Sequence, residues 1–188
     1  DLLSNGTVDG FILSVAEESH TKNVSSHFKE ILREGMPIVM FDRTMDDISC
    51  DKVIVDDFES SHEAVNHLIK LGCKKVALLS CIDNLSVGKL RALGYERALQ
   101  DHKRSIDDSL VIKTDSNEDF DDRLKKLLAT GSVDGILAVD EHASTMAMKL
   151  AIQNGIKIPE QLCVIGFADG VWSRRLTPSL STISQHGP

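Results

Sequence analysis

Aromatic residues make up only 4% of this 188-residue chain. That is too few for the stacking platforms on which proteins seat single-stranded nucleic acid. Positive charge is in deficit as well: Lys and Arg number 21 against 29 Asp and Glu, a formal net charge of -8. Such a surface repels phosphate backbones and anionic lipid, so the chain itself is not expected to grip DNA, RNA or a membrane. No apolar run approaches the ~20 residues of a membrane span, and no signal peptide is visible. The chain opens at Asp1, without Met, in what reads as a helix end, and is therefore read as a fragment. Cys50, Cys73, Cys81 and Cys163 are widely spaced and form no Cys-x-x-Cys pair. Reduced thiols in a cytoplasmic protein are expected, not a disulfide scaffold.

Motifs for metal, cofactor and nucleophilic chemistry are missing too. His62 and His67 share a predicted helix but lie five residues apart, so they point to different faces. No zinc spacing occurs. Asp115-x-Asn117-x-Asp119 resembles the opening of a calcium loop, but Phe120 stands where glycine is needed and Lys126 where glutamate is needed. No metal is expected. There is no G-x-S-x-G elbow, phosphate loop or G-x-G-x-x-G turn, so no cofactor is expected and the chain is read as a non-enzyme. A two-carboxylate hydrolase is set aside because nothing brings two of the many carboxylates to one place.

What is present is an alternation of strands and helices. Apolar runs at Val8–Ser14, Pro37–Phe41, Val53–Val55, Val76–Ser80, Leu110–Ile112, Gly135–Val139 and Leu162–Phe167 read as strands, with a last extended piece at Thr182–Ile183. Helical spacing separates them at Ser25–Arg33, from Asp57 to Gly72, from Ser86 through Leu99, to about Ala129, and at Ala143–Asn154. Strands linked by single helices imply α/β architecture with parallel sheets. Leu2-Leu3-x-x-Gly6-x-Val8-Asp9-Gly10 recurs as Leu127-Leu128-x-x-Gly131-x-Val133-Asp134-Gly135, which reads as a duplicated lobe. Two such lobes leave a cleft between their strand ends, where a small ligand fits.

The residues just after the strands are therefore the candidates. They combine carboxylates (Asp57, Asp140, Asp169) and Ser14 with Arg91 from a following helix. Carboxylates accept hydrogen bonds from sugar hydroxyls, and arginine donates a fork to oxygens. Each also has a plainer reading. Asp57 is placed to cap its helix, Ser86 to cap the next, Arg91 to be a surface charge, and Arg43 is the weakest of the set.

Further residues carry a resemblance along nearly the whole chain: Val8-Asp9-Gly10-Phe11-Ile12-Leu13, Pro37-Ile38-Val39-Met40-Phe41-Asp42-Arg43, and Val55-Asp56-Asp57 followed by His67-Leu68-Ile69-Lys70-Leu71-Gly72. They continue with Arg91-x-x-Gly94-Tyr95, Ile158-Pro159-Glu160 before Val164-Ile165-Gly166-Phe167, and Thr177-Pro178-Ser179-Leu180-Ser181-Thr182-Ile183 with Gln185. Together they resemble the effector-binding domain of the lactose-repressor/galactose-repressor family of bacterial transcription regulators. The resemblance implies two Rossmann-like lobes, like those of periplasmic sugar-binding proteins, with an effector cleft between them. The expected division is a partial N-terminal lobe at 1–72, a C-terminal lobe at 73–183, and the start of a return crossover at 184–188.

By the same resemblance Ser14, Asp57, Arg91, Asp140, Asp169 and Gln185, with Arg43, are effector-binding residues. Arg91→Ala is expected to abolish binding and leave the fold intact. The implied partners are a small sugar-like effector, a second copy of the chain in a homodimer, and DNA only through an N-terminal helix-turn-helix outside this sequence. Two departures stand out. Asp140 occupies a position where the family usually has Asn, and Ala168 replaces the first Asp of its Asp pair. The first strand–helix unit of the first lobe is also absent. The rival reading is an exported sugar-binding protein of a transport system.

Overall fold

The computed structural model describes residues 8–15, 22–114, 116–168 and 170–184, the side chains of residues 22–24 and 171–172 excepted. The chain divides into two compact units, Asp1–Val55 and Asp56–Pro188.

In the first unit β1 (Phe11–Leu13), β2 (Ile38–Phe41) and β3 (Asp51–Val53) form a parallel sheet in the order β1-β2-β3. Helix α1 (Lys22–Arg33) links the first two strands. Gly35, at φ 79°, turns the chain out of it. Ile38, Met40, Met45 and Ile48 form a small core with Val15, packed by Phe28, Ile31 and Leu32. Ile12 (79% exposed) and Val53 (65%) carry apolar surface that nothing among the described residues covers.

The second unit holds a five-stranded parallel sheet in the order β5-β4-β6-β7-β8. Its strands are β4 (Val76–Ser80), β5 (Val111–Lys113), β6 (Gly135–Ala138), β7 (Cys163–Gly166) and β8 (Ser181–Thr182). The helices are α2 (Asp57–Lys70), α3 (Ser86–Asp101), α4 (Asn117–Ala129), α5 (Glu141–Gln153) and the short α6 (Val171–Arg175). Alternate strand residues feed two cores. Val76, Leu78, Leu137, Val139 and Ile165 pack under α2 and α3. Ala77, Leu79, Ile112, Ile136, Ala138 and Val164 pack under α4 and α5. A sheet covered on both faces requires apolar side chains on both sides of each strand, which is why these strands read as continuous apolar runs.

The second unit starts earlier than residue 73. Ala64, Val65 and Leu68 of α2 pack with Ala92, Tyr95 and Leu99 of α3 in one core. Gly94 makes the helix pair possible, since a Cβ there would run into the carbonyl oxygen of Phe58 and the Cβ of Ser61. Ser61 Oγ then donates to the Arg91 carbonyl at 2.6 Å. Two capping expectations are corrected. Asp56, not Asp57, is the N-cap of α2, its carboxylate accepting from Glu59 N at 2.9 Å. Leu85 occupies the N-cap of α3, with no side-chain cap, and Ser86 is already inside the helix.

Candidate functional site

In the five-stranded sheet the chain runs outward from β4 to β5, then returns to β6 on the other side of β4. A crevice opens outside the carboxyl ends of parallel strands where the order reverses in this way. Ser80, Cys81, Val139 and Asp140 lie there, and the buried side chains of Arg91 and Asp57 reach it from α3 and α2.

Arg91 is the centre of the arrangement and is only 4% exposed. Its Nε and one terminal nitrogen each lie 2.7 Å from Asp57 Oδ1. The other terminal nitrogen donates to the Val139 carbonyl at 2.6 Å. The guanidinium lies over the Phe167 ring, 3.9 Å from its centroid, so charge, hydrogen bonds and the ring face together offset its desolvation. The surface-charge reading of Arg91 is thereby corrected. So is the expectation that Arg91→Ala would leave the fold intact, because alanine would strand a buried Asp57 without its counter-charge.

Asp140 bridges the crevice. Its Oδ1 caps α5 by accepting from Ala143 N at 2.8 Å, and its Oδ2 accepts from Cys81 N at 2.8 Å. An amide in the same pose would set its NH2 donor against one of these N–H groups, so Asp here has a structural reason. Burial pushes the Cys81 thiol up to about 12, with further upward pressure from Asp140 and Asp121. That thiol stays protonated at neutral pH and is no thiolate nucleophile.

Asp121 and His142 were not singled out by the sequence reading. Asp121 Oδ1 and His142 Nε2 are buried, 4.0 Å apart, and have no hydrogen-bond partner among the described residues. The Phe120 ring meets His142 edge-on. The gap is of a size that a water or a ligand hydroxyl spans, donating to the carboxylate. The available signal was helical spacing: Asp121 shares a stripe with Leu124 and Leu128, so it was never on the solvated face of its acidic run.

In the first unit Ser14 follows β1, and its Oγ is buried with no partner among the described residues. Val15 N donates to the Arg43 carbonyl at 2.9 Å, tying the ends of β1 and β2 together. Arg43 itself pairs with Asp42, its Nε 3.7 Å from that carboxylate. Asp169 and Gln185 lie outside the described residues. Of the seven candidates, the structure thus brings Asp57, Arg91 and Asp140 to one crevice of the second unit. No group of three or more metal-ligating side chains occurs among the described residues, and no described helix is long and apolar enough to cross a membrane.

Residues 65–187 match the model of a periplasmic binding protein-like domain. The HTH-type transcriptional regulator DegA of Bacillus subtilis (strain 168) is 31% identical over 98% of this chain and 54% of its own length. The ribose operon repressor of Haemophilus influenzae is 25% identical over 97% of this chain and 54% of its own. The chain thus spans about half the length of these relatives. Among solved structures, a regulatory protein of the LacI family from Chloroflexus aggregans superposes with a TM-score of 0.84 at 27% identity. That match covers 97% of this chain and 64% of the other.

Proposed function

Because this chain belongs to the periplasmic binding protein-like domain family, in the form carried by LacI-family transcription regulators, we propose that it senses a small effector for a DNA-binding regulator. The effector is a sugar or sugar derivative, and the chain binds it without turning it over. The observation that carries this reading is the Arg91 fork on Asp57 and the Val139 carbonyl at the reversal between β4 and β6. Those three contacts use three of the five N–H groups of a guanidinium and aim the group along fixed directions. The remaining two suit a hydroxyl or ring oxygen. Asp121 Oδ1 and His142 Nε2, each buried without a hydrogen-bond partner among the described residues, supply further bonding capacity. An unsatisfied buried polar atom costs about 1–3 kcal/mol, which a hydroxyl-rich ligand recovers.

Three features favour binding over catalysis. Asp57 is neutralised by Arg91, both oxygens of Asp140 accept backbone N–H groups, and the Cys81 thiol is held protonated. That a relative of similar length coverage is named a ribose operon repressor supports a carbohydrate effector. The regulator reading places the protein in the cytoplasm as a homodimer, with DNA contacts made by an N-terminal helix-turn-helix. It is favoured over a transport protein because the curated relatives are regulators. Determining the coding sequence ahead of Asp1 tests this: a helix-turn-helix is the expected finding, and a secretory signal with a cleavage site overturns it.

A further inference from the structure

At the opposite end of the same sheet, where β4 begins, lies a pocket of about 520 Å³ lined by Lys74, Lys75, Lys103, Arg104, Ser105 and Asp107. We propose that this pocket binds a phosphorylated small molecule, as a second ligand site separate from the effector crevice.

The first argument is charge. Four cationic side chains and one carboxylate line this pocket, in a chain whose net charge is -8. Lys29, Lys113 and Lys125 each have an acidic partner within 4.0 Å, whereas Lys74 and Lys103 form no such pair among the described residues, and Lys75 acts on Asp107 only through its field. A concavity in which one sign of charge predominates focuses the field and concentrates counter-ions. The second argument is rigidity. The backbone N–H groups of Lys74 and Lys75 are held by the Asp134 carboxylate at 2.8–2.9 Å. Arg104 staples the two cationic segments together by donating to the carbonyls of Cys73 (2.8 Å) and Lys74 (3.2 Å). Lys103 is fixed at φ 57°, its N–H on the Gln100 carbonyl. Tyr95 closes the floor by donating to the Val76 carbonyl at 2.9 Å. The cations are thus presented from a stiff frame.

Compensation of the α3 dipole would account for Lys103 and Arg104 just beyond the end of that helix. It does not require Lys74 and Lys75 to line the same pocket. The volume lies within the ~300–1,000 Å³ range of small-molecule sites, larger than a bare phosphate needs. Lysine is a point-charge phosphate ligand, and Ser105 offers a hydroxyl beside it.

The test is amide NMR of the intact chain at low salt and constant ionic strength, titrated with ribose 5-phosphate and, separately, with ribose. Saturable shifts at Lys74, Lys75, Lys103, Arg104 and Ser105 are expected with ribose 5-phosphate and not with ribose. The doubly substituted chain Lys75→Glu with Lys103→Glu is expected to bind at least tenfold more weakly. Both side chains are exposed, so the fold should persist; should charge reversal unfold the chain, Lys75→Gln with Lys103→Gln decides, with a smaller but clear loss. Shifts that stay linear and spread over every lysine-bearing surface, or equal affinity in the substituted chain, would overturn the proposal.

Discussion

At the scale of single residues, the Arg91–Asp57 pair is the most consequential contact in the second unit. A buried pair is not by itself a strong source of stability, but removing one partner leaves an uncompensated charge. Arg91→Ala and Asp57→Ala should each cost about 3–5 kcal/mol in chemical denaturation. The double substitution should cost clearly less than the sum of the two, because no orphaned charge remains. Additive losses would show that the pair is not coupled. A second residue-scale prediction concerns alkaline pH. Burial pushes Tyr95 from 10.0 and the thiols of Cys73 and Cys81 from 9.0, each up to about 12. For Cys73 the neighbouring Cys163 adds to the burial effect. A raised folded-state pKa means that the folded chain holds its proton longer. The associated stability is fully present below the unfolded values and is lost as pH rises toward 12. Denaturation midpoints should therefore fall between pH 9 and 12. Tyr95→Phe should remove the tyrosine share of that fall while the thiol share remains.

The elements themselves were largely legible in the sequence, and their edges were not. Periodicity located β4, β6 and β7 because a sheet covered on both faces demands unbroken apolar runs. It overextended β1, where only Phe11–Leu13 pairs with β2. Capping was harder to read. Two consecutive aspartates open α2, and only the contact of Asp57 with Arg91, thirty-four positions away, decides that Asp56 is the cap. Asp56→Ala should accordingly cost about 1 kcal/mol and leave effector affinity unchanged, which calorimetry can check. Gly94→Ala sets two effects against each other. Alanine gains up to about 1 kcal/mol in helix propensity. The new Cβ, however, pushes α3 off α2, and overpacking of this kind typically costs about 1–3 kcal/mol. A net loss of stability is expected, together with weakened effector binding, because the α2–α3 approach is what delivers Arg91 to Asp57. A stabilised variant with full affinity would contradict this role for the glycine. The Arg-x-x-Gly-Tyr pattern thus has a physical reading: Arg91 serves the crevice, Gly94 the helix contact, and Tyr95 the core.

For the whole molecule, the sequence conveyed the α/β class, the parallel sheets and the family, because these depend on patterns spread over the full length of the chain. It conveyed less of the site. Arg91 and Asp140 were found as residues, but their contacts are long-range: a carbonyl just past β6 for Arg91 and an N–H just past β4 for Asp140. Asp121 is masked by an acidic run whose other members, Glu118, Asp119 and Asp122, are exposed, and only its register with Leu124 and Leu128 sets it apart. The central claim is that the crevice at the β4–β6 reversal, organised by Arg91, takes up a carbohydrate. The most direct measurement is thermal unfolding of the chain against a panel of neutral mono- and disaccharides, run in parallel on the unsubstituted chain and on Arg91→Lys. Lysine keeps the charge but loses the fork. One sugar class should raise stability by roughly 2.7 kcal/mol at 100 times its dissociation constant, and that gain should vanish in Arg91→Lys. No gain with any sugar, or an equal gain in Arg91→Lys, would contradict the account.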